Sequence, residues 1–332
     1  MLNTFIHIYK KGDSRMYTRK LVKAGPSSHT IALPKEWVQK HNLKKGDIVH
    51  LRDFSDKELM ISANEQVQAP AITKEMLIDV DNKKTDTIQR EITAAYLNNY
   101  SLITLSGNSI PQKAKAIREM VQNFVALEIT EQSTKKISAK DFLNLKEISV
   151  DKTIRRMDMM IRTMFEDLAL STQSKTQLQE SLELRDEDIN RLYFLLVRLL
   201  KSSIVEQTIA KQLELQNKDI LSYWQIVHDL ENIADRIKQA TEIIAKNSTA
   251  QFKQVLELYK KIQIAYENVM KAHYQKDKSA ADLVAQQRIE IDECANLLVL
   301  SHKKQFAISL AENANSINAH VVNLARQVID ED

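Results

Sequence analysis

All four glycines (Gly12, Gly25, Gly46, Gly107) and all four prolines (Pro26, Pro34, Pro70, Pro111) lie at or before position 111 of this 332-residue chain. Residues 112–332 therefore lack both of the strong chain breakers. Tight turns favour glycine and proline, so a turn-rich sheet is hard to build without them. This distribution predicts long helices over the last two-thirds of the chain and sheet confined to the first third.

Bulk features narrow the class further. The chain is 43% hydrophobic and 27% charged, the profile of a globular protein. No apolar run approaches the roughly 18 residues of a membrane span, so no membrane insertion is expected. The opening "MLNTFIHIYKKGD" lacks the basic-then-apolar layout of a signal peptide, and the expected location is cytoplasmic. One cysteine, Cys294, excludes an intramolecular disulfide and a thiolate metal cluster; it reads as a small buried hydrophobe.

The net charge of +3 is unevenly spread. Residues 1–50 hold ten Lys or Arg and three acids, 10 − 3 = +7, which leaves 3 − 7 = −4 for the rest. A basic head on a mildly acidic body calls for an anionic partner, nucleic acid first. In the head, a strand is expected from Thr18 to Lys23, a turn at Gly25-Pro26, and a strand through Thr30 to Leu33. Pro34 opens a short helix at its first position. "KKGD" is a turn on Gly46, and Ile48, His50, Leu59 and Ile61 alternate around a further turn at Asp56.

Residues 70–145 alternate strand and helix. "EMLIDV", "YSLITL", "ALEITEQ" and "KKISAKDF" read as strands; Asp86–Asn98 and "IPQKAKAIREMVQNF" read as helices. A single sheet covered by two helices follows. Gly107 stands alone, so there is no phosphate loop.

From about Val150 the 3.6-residue period predicts six helices. They are "SVDKTIRRMDMMIRTMFEDLALS", "LRDEDINRLYFLLVRLLKSSIV", Tyr223–Ala245, "AQFKQVLELYKKIQIAYENVMKAHYQ", "SAADLVAQQRIEIDECANLLVLSHK" and "FAISLAENANSINAHVVNLARQVI". In the third, Leu230, Ile233, Ile237 and Ile244 share an apolar face. Glu231 and Asp235, four apart, point together at the edge of that face. Two such acids suit a hard metal ion and equally a solvated helix flank. "NIADRIKQATEIIA" superposes without gaps on "ENANSINAHVVNLA", and "DIN" at Asp188 on "EID" at Glu290. Two related three-helix bundles are therefore expected. No nucleophile elbow, Cys-His pair or His-Glu-x-x-His run is present, so enzyme activity is not expected.

Two resemblances sharpen these readings. "TIALPKEWVQKHNLKKGDIVHL" resembles the AbrB-like swapped-hairpin DNA-binding family. That resemblance implies a dimer formed by hairpin exchange, with Arg19, Lys20, Lys23 and Lys35 as the DNA-contacting cations. "DLENIAD", Asp229–Asp235, resembles the acidic motif of the phosphate-uptake regulator (PhoU) family, with Asn232 and Ala234 as departures. An AbrB-like head on such a body resembles the archaeal branch of that family. The resemblance implies two three-helix bundles and a metal held by acids: Glu231 and Asp235, with Asp188 and Asp292 on the preceding helix of each copy. Ala311 and Asn315 replace the acids in the second copy, so a single carboxylate site for Mg or Mn is the expectation, ahead of Zn or Fe.

The expected architecture is thus multidomain α+β. An AbrB-like DNA-binding and dimerisation domain spans 1–66, a small α/β middle domain 67–145, and an all-α pair of three-helix bundles 146–332. The expected function is a homodimeric regulator of phosphate homeostasis that binds duplex DNA through its head. The resemblance implies a phosphate ABC transporter or an associated signalling protein as partner of the body. The alternatives are an adaptor that inhibits the transporter, with the head only dimerising, and metal storage.

Overall fold

The computed structural model describes residues 17–55, 58–63, 74–170, 175–247, 252–301 and 305–331. The chain divides into two compact units, Met1–Ile72 and Thr73–Asp332.

In the first unit, β1 (Val22–Lys23) pairs antiparallel with β2 (His29–Thr30). Helix α1 (Lys35–Lys40) follows, then an antiparallel pair, β3 (His50–Ser55) and β4 (Glu58–Ser62), with a bulge between Asp53 and Ser55. The strand expected from Thr18 is shorter, because Thr18–Leu21 meets no partner strand among the described residues. Pro34 is the cap of α1, not its first residue: its ψ of 130° is extended, and its carbonyl accepts from the N–H groups of Trp37 and Val38. The "KKGD" turn is as expected, with Gly46 at φ 98° and the Asp47 carboxylate accepting from Lys44 N at 2.7 Å. The turn expected at Asp56 lies outside the described residues. No residue of this unit whose burial is described is buried, and Leu21, Val22, Ile31, Ile48, Leu51 and Leu59 are exposed.

The second unit begins with β5 (Glu75–Asp79), α2 (Thr85–Leu97), β6 (Leu102–Ser106), α3 (Ile110–Gln122), β7 (Leu127–Gln132) and β8 (Lys136–Asp141). The sheet order is β5-β6-β8-β7; β5 and β6 are parallel through α2, and β8 runs antiparallel between β6 and β7. Ile78, Ile103, Leu105, Ile137 and Ala139 alternate onto one face and are buried with Ile88, Ile92, Tyr96 and Ile117 of the two helices. Asp81 closes the start of α3, accepting from the N–H groups of Asn108 at 2.9 Å and Ser109 at 2.8 Å. Those bonds, Asn108 first, hold its carboxyl down at about 2. Gly107 makes room for it: a Cβ there would meet the Asp81 carboxylate at 2.7 Å.

Sheet is not confined to the first third: the strands expected at "ALEITEQ" and "KKISAKDF" form β7 and β8, past the last proline. Their turns use other residues: Ala126 takes φ 62°, and Ser133 N donates to Lys136 O at 2.7 Å. A single left-handed residue costs a non-glycine side chain little enough for the surrounding packing to impose it.

A short 3-10 turn, Leu145–Glu147, leads into the helices. They are α4 (Val150–Leu170), α5 (Lys175–Val205), α6 (Gln207–Gln212), α7 (Asn217–Lys246), α8 (Phe252–Gln275), α9 (Lys278–Gln286), α10 (Arg288–Ser301) and α11 (Gln305–Asp330). Helix α5 starts earlier than the apolar period suggested, since polar but helix-favouring residues extend it N-terminally. The fifth expected helix is interrupted at Gln287, giving α9 and α10. Glu214 and Lys276, at φ 57° and 54°, turn the chain before α7 and α9. No described helix is long and apolar enough to cross a membrane.

The long helices form two triplets: α4, α5 and α7, then α8, α9–α10 and α11. Helix α7 packs along α11, and α4 along α8, so both triplets share one continuous core. Leu230, Ile233, Ile237 and Ile244, the stripe predicted for α7, are all buried in it. Each such side chain contributes about 1.5–3 kcal/mol.

The sheet layer is joined to this body by Arg198 of α5, only 2% exposed. Its guanidinium donates two bonds to the Asp141 carboxylate, one at 3.1 Å, and two to Asn99 Oδ1 at 3.0 and 2.7 Å. It also lies over the Tyr96 ring at 4.6 Å. Burial disfavours the charge, but Asp141 more than compensates and holds the guanidinium above its ordinary range.

Candidate functional site

Helix α7 is packed by α4, α5 and α11, so Gln225, His228, Asp229, Glu231, Asp235 and Lys238 become interior or boundary groups, not a solvated flank. A reciprocal cap starts it: the Asp219 carboxylate accepts from Gln216 N at 2.8 Å. Beyond that turn the helix carries two polar clusters on opposite sides of its apolar stripe.

On the α11 side Asp229 is 1% exposed. It faces His320 Nδ1 at 2.7 Å and accepts from Gln225 Nε2 at 3.0 Å and Asn323 Nδ2 at 3.4 Å. A buried carboxylate held by three partners is a satisfied group. The adjacent His228 turns instead toward α5: it lies beside Trp224, rings 5.1 Å apart, and Tyr193 OH of α5 is 3.1 Å from its Nδ1. Burial holds the His228 imidazole below its ordinary range.

On the α5 side are Glu231, Asp235 and Lys238. Burial, then the neighbouring Asp235 and Asp186 carboxylates, pushes the Glu231 carboxyl up to about 7, with His320 acting the other way. Asp235 is likewise pushed up, first by burial and then by Asp186. Asp186, 5% exposed, has Oδ2 at 2.7 Å from Lys238 Nζ and accepts from Asn190 Nδ2 at 3.3 Å. Burial works against the Lys238 charge, but Asp186, Asp235 and Glu242 hold the ammonium above its ordinary range. Lys238 is thus paired with Asp186 and influenced by Asp235, and Glu231, beside both acids, can hold or release a proton near neutral pH.

The structure thus brings Glu231 and Asp235 together and supplies Asp186 as the third carboxylate. Asp188, two residues on, points away along α5. It is half-exposed, 3.9 Å from Arg191, and lines a cleft of about 930 Å³ with Arg118, Glu128 and Glu187. Asp292 on α10 pairs with Arg288 at 3.4 Å and accepts from Asn318 Nδ2 at 2.8 Å; it is not joined to the α7 acids. Asp186 was open to discovery from sequence: it stands four residues before Asn190, on the inward face that also carries Leu182 and Ile189. The superposition of "DIN" on "EID" drew attention to Asp188 instead.

The metal that the resemblance implies can be tested against these residues. Carboxylate oxygens are the right donors for Mg or Mn. Among the described residues, however, no three His, Cys, Asp or Glu side chains are placed to hold an ion. Oδ2 of Asp186 carries the Lys238 ammonium at 2.7 Å. As placed, the residues do not fit a resident divalent ion.

In the first unit Arg19, Lys20, Lys23 and Lys35 are all exposed. Arg19 donates to Thr18 O at 2.9 Å and lies 5.7 Å over the Tyr17 ring. Lys23 is in β1 and Lys35 begins α1.

Residues 154–244 match the family model of the PhoU domain. That segment runs from within α4 to near the end of α7, so it holds nearly all of the first triplet, the Asp186, Glu231, Asp235 and Lys238 cluster, and Asp229 without its α11 partners His320 and Asn323. Among solved structures, the chain is similar to the crystal structure of PhoU from Pseudomonas aeruginosa, at 17% identity and a TM-score of 0.41. That match covers 54% of this chain and 93% of the other. No curated protein matches the chain.

Proposed function

We propose that this protein regulates phosphate uptake, with the helical body as its sensing and docking part and the basic first unit as its DNA-binding part. The PhoU-domain match over residues 154–244, which ends in the helix that carries "DLENIAD", is the observation behind the first half. The +7 charge of residues 1–50 and the exposure of Arg19, Lys20, Lys23 and Lys35 support the second. A homodimer is part of this reading. Among its described residues the first unit exposes seven large hydrophobic side chains, Tyr17 included, and buries none, which is the pattern of a module that completes its core with a second copy.

That same exposure favours a second reading, in which the head only dimerises and the body acts as an adaptor on a phosphate ABC transporter or its signalling partner. Duplex-DNA binding at graded salt separates the two. Under the first reading affinity falls steeply with salt, and Arg19→Ala with Lys20→Ala weakens it roughly tenfold. Unchanged affinity in the double variant removes the DNA arm and leaves the adaptor. Phosphate uptake by cells lacking the protein tests what both share; uptake indifferent to its loss defeats the phosphate reading.

A further inference from the structure

Helix α7 sets Glu231, Asp235 and Lys238 on one side at i, i+4 and i+7, and α5 brings Asp186 against them. Three carboxyl groups on two packed helices form a charge excess that costs several kcal/mol per unanswered ion in a low-dielectric setting. A proton, a metal ion or an internal ammonium can answer it. Lys238 Nζ, 2.7 Å from Asp186 Oδ2, already does so from within the chain. The second triplet needs no such cation, because its aligned positions are Ala311 and Asn315. A tethered ammonium has a high effective concentration at its partner, whereas a free divalent ion must be recruited and wants more oxygen ligands than are placed here.

We propose that Lys238 is the resident counter-ion of the Asp186–Glu231–Asp235 cluster and that it keeps this cluster closed to divalent metal ions. The lysine takes the place an ion would need, neutralises part of the charge that would attract one, and ties α7 to α5 without cofactor supply. This holds whichever partner the protein regulates.

The test uses the full-length protein, its metal content by elemental analysis, and its melting temperature in EDTA and in millimolar Mn2+ or Mg2+. Wild type is expected to purify without stoichiometric metal and to melt at the same temperature in all three solutions. Lys238→Met, which keeps the stem and removes the charge, is expected to melt roughly 5 °C lower. It should then retain stoichiometric Mn2+ after dialysis and recover most of that loss in Mn2+. Lys238→Arg should behave as wild type. Stoichiometric metal in wild type, or wild-type stabilisation by Mn2+, overturns the proposal. A folded Lys238→Met protein that neither binds nor responds to Mn2+ also overturns it. Should Lys238→Met fail to fold, the wild-type measurements decide alone.

Discussion

Helix α5 contributes to two buried polar sites of opposite character. Arg198 meets one carboxylate, one amide oxygen and one aromatic face, and each of its partners is placed to receive it. Asp186 enters a cluster where acids outnumber the lysine, Glu231 is pushed up to about 7, and Asp235 is also raised. Arg198 sits in a matched pair that joins the sheet layer to the helices. Asp186 belongs to a group carrying unresolved repulsion, which nothing in the fold requires, since the aligned second-triplet positions pack with Ala311 and Asn315. A balanced buried ion pair points to architecture; an unbalanced one points to a site that responds to a proton or a partner.

The largest expected effect lies at the balanced site. Arg198→Ala leaves Asp141 without its guanidinium and opens a void beside Tyr96, so denaturant unfolding should show a loss of about 3–5 kcal/mol. A loss under about 1 kcal/mol would mean that the pair does not join the two layers.

At the unbalanced site the signature is in pH. The Glu231 carboxyl sits at about 7 in the folded protein against 4.5 ordinarily. Between those values the folded state holds a proton that the unfolded chain has lost, so stability falls as pH rises through this window. It is level below about 4.5, and the full cost is present above about 7. Discounted for partial exposure, the change is about 1–2 kcal/mol. Unfolding free energies measured across the window should show that slope, and a flat profile would erase the contrast with Arg198.

Glu231→Gln should flatten the profile and raise stability above neutral pH by about 1 kcal/mol, because it removes a charge that the cluster repels. Destabilisation instead would place Glu231 in the matched class. The smallest effect is expected for Asp188→Asn. Its side chain is half-exposed and 3.9 Å from Arg191, so the change should stay within about 0.5 kcal/mol at any pH. A larger shift would extend the cluster to the outer side of α5.

Much of this was legible along the chain. The alternation in "EMLIDV" and "YSLITL" placed β5 and β6, and the 3.6-residue period placed α4, α8 and α11 within two residues, while α7 begins six residues before Tyr223. Glu231 and Asp235 were recognisable as neighbours because a helix alone puts i and i+4 side by side. The choice of Asp188 over Asp186 was not recoverable by superposing short motifs. Two residues on a helix point nearly opposite ways, and only the packing of α5 on α7 decides which faces in. The turns of β7 and β8 were hidden for a related reason: Ala126 takes a left-handed φ that its neighbours impose and its own identity does not announce.

What the sequence determined by itself is whatever depends on neighbours within one or two turns: helix lengths, strand alternation, the apolar stripe of α7 and the charge bias of the first 50 residues. Tertiary structure alone decided the partners across long separations: Arg198 with Asp141 and Asn99, Asp229 with His320, Lys238 with Asp186. Local propensity acts through bonds and rotamers of adjacent residues. Ion pairing and desolvation act through space, and their sign depends on which helix faces which.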